Sequence, residues 1–355
     1  MTFMKITYLR IIAAILIAIA LVVGGGGYYA YSRFHAPGPQ EQAEIVLIPQ
    51  GASVGQAART LQDAGVITSS DLFKWGTRFL GADRDIRAGE YEVPAHTSMA
   101  GILDILRSGD VVQHAFTVAE GLSSAQVVAL LEADDTLTGA IDAIPPEGTL
   151  LPETYLHVRG TPRAEIIARM SSAFKQALDE LWAARDADRA PKTPEQAVTL
   201  ASIVEKETAL AGERPRVAAV FLNRLNKGMR LQSDPTVVYA VTGGFPIGRR
   251  ITRDDLRMDS PYNTYRNHGL PPGPIANPGV QSLKAVLNPI VTDDYYFVAD
   301  GTGGHVFSRT LEEHNRNVAK WRKIRRQMDA DMDADVDKEA DASSLGGQTT
   351  DQPVE

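Results

Sequence analysis

Three arrangements of apolar and polar positions divide the chain. The first is an uncharged, mainly apolar run from Ile11 to Ser32. An apolar helix needs roughly 20 residues to cross a bilayer, so this run is long enough to span a membrane. Lys5 and Arg10 precede the run, and basic residues tend to stay on the cytoplasmic side. The pattern predicts a cytoplasmic N-terminus over residues 1–10 and a transmembrane helix over residues 11–32.

A cleaved signal peptide is the alternative explanation of this apolar run. Ala30 and Ser32 form a weak small-x-small cleavage site. The apolar core of a signal peptide usually has about 7–15 residues, and the run here is longer. Its length favours an uncleaved anchor, whose tyrosines Tyr28, Tyr29 and Tyr31 would form an aromatic belt at the outer interface. Everything after Arg33 would then lie outside the cytoplasmic membrane.

The second arrangement covers residues 44–112, after a polar linker over residues 33–43. The segment "EIVLIPQGAS" alternates as a strand does, and "SVGQAARTLQDAGVI" has apolar positions at helical spacing. A second helix, a second strand and a third helix follow in "SSDLFKWGTRFLGA", "IRAGEYEVP" and "TSMAGILDILRSGD". The β-α-α-β order resembles a LysM-like module, which implies that the module grips glycan chains. A spacer domain without a ligand is the alternative.

The third arrangement, over residues 113–327, mixes long helical patterns with short strands and loops rich in proline and glycine. It includes two strands around a glycine-rich turn in "DDYYFVADGTGGHVFSRT". We therefore predict an α+β protein with an N-terminal transmembrane helix, a LysM-like β-α-α-β module and a mixed α/β catalytic domain around a central catalytic helix. Residues 328–355 are rich in Asp and Ala and poor in large apolar residues, which predicts a disordered acidic tail.

Composition narrows the chemistry. The chain of 355 residues has no cysteine, which excludes disulfides, zinc–thiolate sites and a thiol nucleophile. Its net charge of −8 argues against nucleic acid as the main partner, because phosphate contacts need a basic face. The sequence has no metal-ligand cluster at usable spacing and no glycine-rich phosphate loop that opens a helix. We therefore expect no metal and no cofactor.

The most informative helix is "TPEQAVTLASIVEKETAL", which Thr193 can cap. At about 100° per residue, Glu207 falls inside the apolar arc of this helix, Glu205 at its edge and Lys206 outside it. A carboxylate buried without partners tends to raise its pKa and keep its proton, as a general acid does. The alternative is a structural glutamate in a buried ion pair with Arg214 or Arg224.

Polar and aromatic residues gather in the segments that follow this helix. "MRLQSDPTVVYA" is an irregular polar stretch around a proline, and "SPYNTYRNHGLPPGPIANPG" is a long loop with tyrosines and asparagines. Such loops suit sugar recognition through stacking and hydrogen bonds to hydroxyl groups. The earlier loop "PEGTLLPETYLHVRG" is either a structural turn or a groove wall. His305 and His314 are interpreted as structural.

Together, "EGTLLPETY", "IVEKET", "VAAVFLNRL", "MRLQSDPTVVYA", "YNTY", "GLPPGPIANPG" and "YYFVADGTGGHVF" resemble the YceG-like family. Its members are endolytic murein transglycosylases, single-pass inner-membrane proteins that cut peptidoglycan glycan strands. The resemblance covers the chain from the anchor to about Arg326. It implies that Glu207, followed by Thr208, is the catalytic acid and then the base. It also implies peptidoglycan as substrate, a catalytic domain outside the inner membrane, and peptidoglycan synthases as partners.

Under this resemblance, the residues expected to orient substrate or stabilise the transition state are Asn223, Gln232, Asp234, Tyr262 and Asn263. For each of them, a cap, a turn or a core hydrogen bond is the alternative role. Two other functions stay open: a muramidase that hydrolyses the same bond, with Asp234 as second carboxylate, and a membrane-tethered scaffold that binds peptidoglycan without catalysis. A pyridoxal-dependent lyase using Lys206 or Lys284 is disfavoured, because no phosphate cradle accompanies either lysine.

Overall fold

The computed structural model describes the backbone of residues 2–345 and the side chains of residues 10–328. The chain divides into two compact units. The N-terminal unit comprises residues 1–116 and 156–161, and the C-terminal unit comprises residues 117–155 and 162–355. Helices and short antiparallel strands occur together, so the predicted α+β class is confirmed.

The N-terminal unit begins with a long helix and continues in the order strand, helix, helix, strand, helix. Its elements are α1 (Thr2–His35), β1 (Glu44–Ile48), α2 (Val54–Asp63), α3 (Ser70–Phe79), β2 (Gly89–Val93) and α4 (Met99–Ser108). Strands β1 and β2 pair antiparallel with Val46 opposite Tyr91. Serines Ser53, Ser69 and Ser98 cap the three short helices by accepting hydrogen bonds from backbone N–H groups. This is the predicted β-α-α-β order.

Helix α1 has the length and composition of a membrane span over Arg10–His35, where its mean hydropathy reaches 2.4. The segment predicted to be a linker, residues 33–43, is instead packed into the N-terminal unit. Phe34 is buried in the core of that unit beside Phe73, and Gln40 donates hydrogen bonds to the carbonyls of Pro94 and Thr97. The linker prediction rested on polarity, which does not reveal that one aromatic ring and one amide have partners far along the chain.

The C-terminal unit contains most of the helices. Strands β3 (His114–Thr117) and β4 (Thr154–His157) each cross a division between the two units, and α5 (Ser124–Ala133) is the first helix of the C-terminal unit. The following elements are α6 (Arg163–Ala183), α7 (Pro194–Glu207), α8 (Arg214–Asn226), α9 (Asp234–Thr242), α10 (Arg253–Arg257), α11 (Val280–Leu287), β5 (Tyr296–Ala299), β6 (His305–Ser308) and α12 (Leu311–Leu345). The predicted hairpin around the glycine-rich turn is present, with Phe297 opposite Phe307.

Helix α7 lies at the centre of this unit. Thr193 caps it and Pro194 occupies its first turn, as predicted. Every residue from Ala197 to Val204 is buried, and helices α8, α9 and α11 all contact α7. The helix is therefore enclosed on all sides along these two turns, and not only on one apolar face. Its end at Glu207 is where the chain returns toward the surface.

The C-terminal segment differs from its prediction. Helix α12 continues to Leu345, so residues 328–345 are helical where disorder is predicted. Alanine, methionine, lysine and glutamate in this stretch are good helix formers, and glycine first appears at Gly346. Low apolar content argues against a packed core but does not prevent helix formation in continuity with an existing helix. The remainder of the predicted tail, residues 346–355, lies outside the described residues.

Candidate active site

Glu207 is the last residue of α7, and Thr208 continues the chain in an extended conformation. Its carboxylate accepts a hydrogen bond of 2.6 Å from Ser233 Oγ. Ser233 is itself buried, and its backbone N–H donates to the hydroxyl of Thr264 at 3.0 Å. The hydrogen bond from its backbone to Thr264 fixes the position of Ser233, and its hydroxyl is thereby held next to the Glu207 carboxylate.

Desolvation dominates the electrostatics of Glu207. Burial raises its pKa to about 7, and the nearby charge of Asp234 acts in the same direction. The hydrogen bond from Ser233 and the charges of His305 and Arg224 act in the opposite direction, but they do not outweigh burial. Near neutral pH, Glu207 can therefore both hold and release a proton, which is the property required of a group that serves as acid and then as base.

The described cations near Glu207 do not form an ion pair with it. Among the residues with described side chains, no lysine, arginine or histidine nitrogen lies within 4.0 Å of its carboxylate. Arg224 is buried close by, but its guanidinium donates to the backbone carbonyls of Tyr295 and Leu231. The alternative of a structural ion pair with Arg214 or Arg224 therefore does not describe Glu207. We call Glu207, Ser233, Asp234 and Tyr265 the Glu207 pocket.

Glu205 differs from its predicted position. It is predicted at the edge of the apolar arc, but its side chain is only 4% exposed. Arg214 Nη2 donates to it at 3.0 Å and to Glu120 at 2.9 Å, and the N–H of Gly279 donates to its second oxygen at 2.9 Å. The helical projection at 100° per residue predicted an edge position for Glu205 because it assumes one buried face. Helix α7 is instead covered on several sides. We call Glu205, Arg214, Glu120 and Gly279 the Glu205 network.

Three of the predicted substrate-orienting residues belong to the Glu207 pocket or to the segments next to it: Asp234 is part of it, Gln232 precedes Ser233, and Tyr262 precedes Tyr265 by three residues. Asp234 is exposed at the start of α9, and its carboxylate accepts a hydrogen bond of 2.5 Å from the Tyr265 hydroxyl. Gln232 is exposed and has a positive φ of 51°, a strained backbone conformation that adjoins Ser233. Tyr262 is partly buried, with its ring 4.9 Å from that of Tyr239.

The two predicted asparagines are placed differently. Asn263 is fully buried, and its amide donates to the carbonyls of Leu256 and Met258 while its oxygen accepts from the N–H of Tyr265. Asn223 donates to the carbonyls of Thr292 and Asp294. Both side chains bind backbone carbonyls of loops, which is the core hydrogen-bonding role named as the alternative to substrate contact. Asn223 does so from within helix α8, and Asn263 does so from a loop.

The histidine predictions agree with the contacts. His305 Nδ1 is 2.7 Å from Glu213, whose carboxylate also accepts from the His305 N–H and from the Thr208 hydroxyl. His314 stacks on Tyr296, and burial lowers its pKa. Glu213 thereby ties the hairpin to the residue that follows Glu207. Within the described part of the chain, no group of three or more histidines and carboxylates is arranged to hold a metal ion.

Glu120 and Glu147 also have raised pKa values, and the sequence does not predict either of them. Burial raises the pKa of Glu147, which accepts from the backbone N–H of Ser124 at 2.8 Å and from the Tyr239 hydroxyl at 3.3 Å. The fully buried Asn277 also reaches it, at 3.4 Å. Gly148, which follows it, has a positive φ, and a Cβ there would meet Pro274 at 2.6 Å. The one sequence feature that pointed to Glu147 was its position in the "EGTLLPETY" loop, which is interpreted as a structural turn or a groove wall.

Comparison with known proteins places this site in a class. The model of the YceG-like family matches residues 46–320, and the chain belongs to that family. The predicted resemblance is thereby confirmed.

Individual relatives carry a common name. An endolytic murein transglycosylase of Bacillus subtilis (strain 168) is 32% identical over 338 residues, covering 85% of this chain and 91% of the relative. One from Streptococcus pneumoniae serotype 2 (strain D39 / NCTC 7466) is 29% identical; the match covers 87% of this chain and 64% of that longer protein. A crystal structure of a yceG-like protein from Listeria monocytogenes is 32% identical, with a TM-score of 0.49, covering 78% of this chain and 99% of that one.

Proposed function

We propose that this protein is an endolytic murein transglycosylase that cleaves the bond between N-acetylmuramic acid and N-acetylglucosamine within peptidoglycan strands. The observation that carries the proposal is Glu207, a desolvated carboxyl group at the end of the central helix, with no cation within 4.0 Å among the side chains of residues 10–328. The name shared by its relatives supplies the substrate class. The raised pKa supplies the proton that the first step requires.

In the first step, protonated Glu207 donates its proton to the glycosidic oxygen as the bond from that oxygen to C1 of muramic acid breaks. In the second step, the carboxylate accepts the proton of the C6 hydroxyl of the same sugar, and the C6 oxygen forms a bond to C1. The product has a 1,6-anhydro end, Glu207 is again protonated, and no water is consumed. A single carboxyl group suffices, whereas glycoside hydrolysis usually uses two.

The surrounding groups have separate tasks in this scheme. Ser233 orients the Glu207 carboxyl through its hydrogen bond and stabilises the carboxylate between the two steps. Asp234, fixed by Tyr265, is positioned to stabilise positive charge that develops on the sugar. Gln232 and Tyr262 are proposed to contact the glycan, since both are accessible at least in part and lie in the segments that flank the pocket.

The decisive experiment is product analysis of purified glycan strands treated with the full-length protein in detergent. We expect soluble fragments with anhydro ends, and Glu207→Gln should reduce their release by on the order of 10²–10⁴-fold. Glu195→Gln is the matched control, because it makes the same chemical change at an exposed position on the same helix. Release by Glu207→Gln at the parent rate would remove Glu207 from the mechanism.

The same product analysis addresses the two other functions. A muramidase would leave a reducing muramic end that is one water heavier than the anhydro end. A scaffold would bind glycan without releasing fragments from either protein. Asp234 could serve as the second carboxylate of a hydrolase, but it is exposed and already accepts the Tyr265 hydroxyl.

We further infer that α1 anchors the protein in the cell inner membrane, with a cytoplasmic N-terminus and the chain that follows α1 on the outer side. The span of Arg10–His35 supports an anchor. Cleavage after Ser32 would leave only the last three residues of α1 in place, whereas the helix runs without a break into the buried Phe34, which favours a retained helix. The β-α-α-β order of that unit supports, at the level of element order, a LysM-like module that contacts glycan.

A further inference from the structure

We propose that the outward face of helix α3 is inserted in the interfacial region of the membrane that α1 crosses. The inference rests on the proposed membrane anchoring and adds a second point of contact to it. Helix α3 has two apolar faces. Phe73 and Thr77 are buried in the core of the N-terminal unit, whereas Trp75, Phe79 and Leu80 are 62%, 92% and 57% exposed.

The spacing of these residues and of the half-buried Leu72 makes them one surface. Leu72, Trp75 and Phe79 occupy positions i, i+3 and i+7, which lie on one side of a helix, and Leu80 follows as the C-cap. A soluble surface rarely shows three such large apolar side chains next to one another without a partner. We call these four residues the α3 face.

The α3 face is continuous with the helix that spans the membrane. A cavity of about 440 Å³ separates α3 from the end of α1, and it is lined by Ala30, Tyr31, Phe34, Trp75 and Phe79 among others. The two helices are joined closely at one point. A Cβ on Gly76 would lie 2.4 Å from the Phe34 ring, so only glycine permits this approach. The end of α1 therefore packs directly against α3.

The depth of this junction matches the edge of a bilayer. A hydrocarbon core of about 30 Å is crossed by about 20 residues at 1.5 Å each, so a span that starts at Ile11 ends near Ala30. The exposed Tyr28, Tyr29 and Tyr31 surround that level. Because α3 lies against residues 27–35 of α1, its exposed face is at the same depth.

The chemistry of the α3 face suits an interface between water and lipid. Tryptophan is enriched at this depth because its ring is apolar and its N–H is polar. The guanidinium of Arg78 lies 5.6 Å from the centre of the Trp75 ring, and Arg33 is exposed at the end of α1. Both cations can meet lipid phosphates while the neighbouring apolar side chains reach the acyl chains. A bilayer is thus the occupant that accounts for both the apolar residues and their cationic rim.

Tryptophan fluorescence of the full-length protein in vesicles tests the proposal. The chain has three tryptophans, so Trp182→Phe with Trp321→Phe leaves Trp75 as the only emitter. Lipids brominated near the carbonyl end of the acyl chain should roughly halve its emission, because an interfacial helix inserts to within about 10 Å of that boundary. As a control, a chain without native tryptophans carries Asp63→Trp on the exposed end of α2, and it should not be quenched.

Flotation of the protein with the vesicles separates the two proposals. A protein that does not float has no membrane anchor, which overturns the anchoring and this inference with it. A protein that floats while Trp75 responds no more than the Asp63→Trp control overturns this inference alone. Trp75 could instead be shielded from a soluble quencher, unaffected by brominated lipids and accompanied by crosslinking of two chains. That combination would assign the α3 face to a second copy of the protein and overturn this inference. Phe79→Ser with Leu80→Ser should preserve flotation and reduce the lipid quenching of Trp75.

Discussion

The Glu205 network and the Glu207 pocket begin two residues apart on the same helix, yet they treat a carboxylate in opposite ways. Glu205 is surrounded by donors: a guanidinium shared with Glu120 and the N–H of Gly279. Glu207 accepts one hydrogen bond from a hydroxyl. Each glutamate has a second acidic group nearby, Glu120 for Glu205 and Asp234 for Glu207. The difference is the cation: Glu205 shares the guanidinium of Arg214, whereas no described cation lies within 4.0 Å of the Glu207 carboxylate.

This contrast explains why both residues can be needed at the end of one helix. The Glu205 network ties α7 to the start of α8, to Glu120 and to the loop before α11. Lys206, exposed between the two glutamates, donates to the carbonyl of Gly121 and adds a further tie. The last turn of α7 is thereby held in place, and Glu207 extends from it. A positioned carboxyl group is worth more to catalysis than a mobile one.

The largest stability effect should come from breaking the Glu205 network at its cation. Arg214→Met leaves Glu205 buried and unpaired, which should destabilise the protein by about 3–5 kcal/mol. Thermal or urea unfolding of the purified protein measures this. Lys175→Met is the matched control, since it breaks a pair with Asp179 in which both side chains are exposed, and it should change stability by less than about 1 kcal/mol. Equal effects of the two substitutions would contradict the contrast.

The Glu207 pocket should show the opposite behaviour when its charge is removed. The pKa of Glu207 is about 7 in the folded protein against an ordinary value of 4.5, so the folded state binds the proton more tightly. Its contribution to stability is therefore fully present below pH 4.5 and is lost as the pH rises through 7.

Glu207→Gln cannot ionise and avoids that loss. Relative to the parent, it should gain on the order of 1–3 kcal/mol between pH 5 and pH 8. Unfolding curves of both proteins at the two pH values give the difference directly. An advantage that is the same at pH 5 and pH 8 would show that Glu207 is ionised throughout and would remove the basis of the acid role.

The hydroxyl of Ser233 should tune the pH range of activity. A general acid is active while protonated, so fragment release should fall as the pH rises above about 7. Ser233 stabilises the carboxylate, and Ser233→Ala should move this decline to higher pH by up to about one unit. A rate profile from pH 5 to pH 9 measures the shift, and Ser233→Thr, which keeps the hydroxyl, should restore the parent profile. A downward shift would contradict the assignment.

The smallest effect is expected at Tyr265. Tyr265→Phe removes one hydrogen bond to Asp234, whose carboxylate is exposed and can be solvated by water instead. We expect stability to change by about 1 kcal/mol or less and fragment release to fall by less than tenfold. Asp234→Asn in parallel separates the role of the charge from that of the hydrogen bond. A loss with Tyr265→Phe as large as with Glu207→Gln would make the phenol, and not the carboxyl, the central acid.

The site was predictable where local periodicity carries the information. The cap at Thr193, the apolar arc of α7 and the inward direction of Glu207 all follow from residues within a few positions of one another. The same local reasoning could not assign a role to Asn223 and Asn263, because the sequence does not show that their amides donate to distant or loop carbonyls. It also passed over the contact of Ser233 with Glu207 and the burial of Glu147, since both depend on residues that are distant along the chain.

The sequence by itself determined the long apolar N-terminal helix, the β-α-α-β order, the hairpin near residue 300 and the family, because these depend on runs, periods and motifs within short windows. Only the tertiary structure decided which carboxylate has which partner. Arg214 reaches Glu120 across 94 positions, and Ser233 reaches Glu207 across 26. The physical reason is that desolvation and ion pairing depend on distances in space. The folded chain sets those distances, and the apolar and polar pattern of neighbouring residues does not encode them.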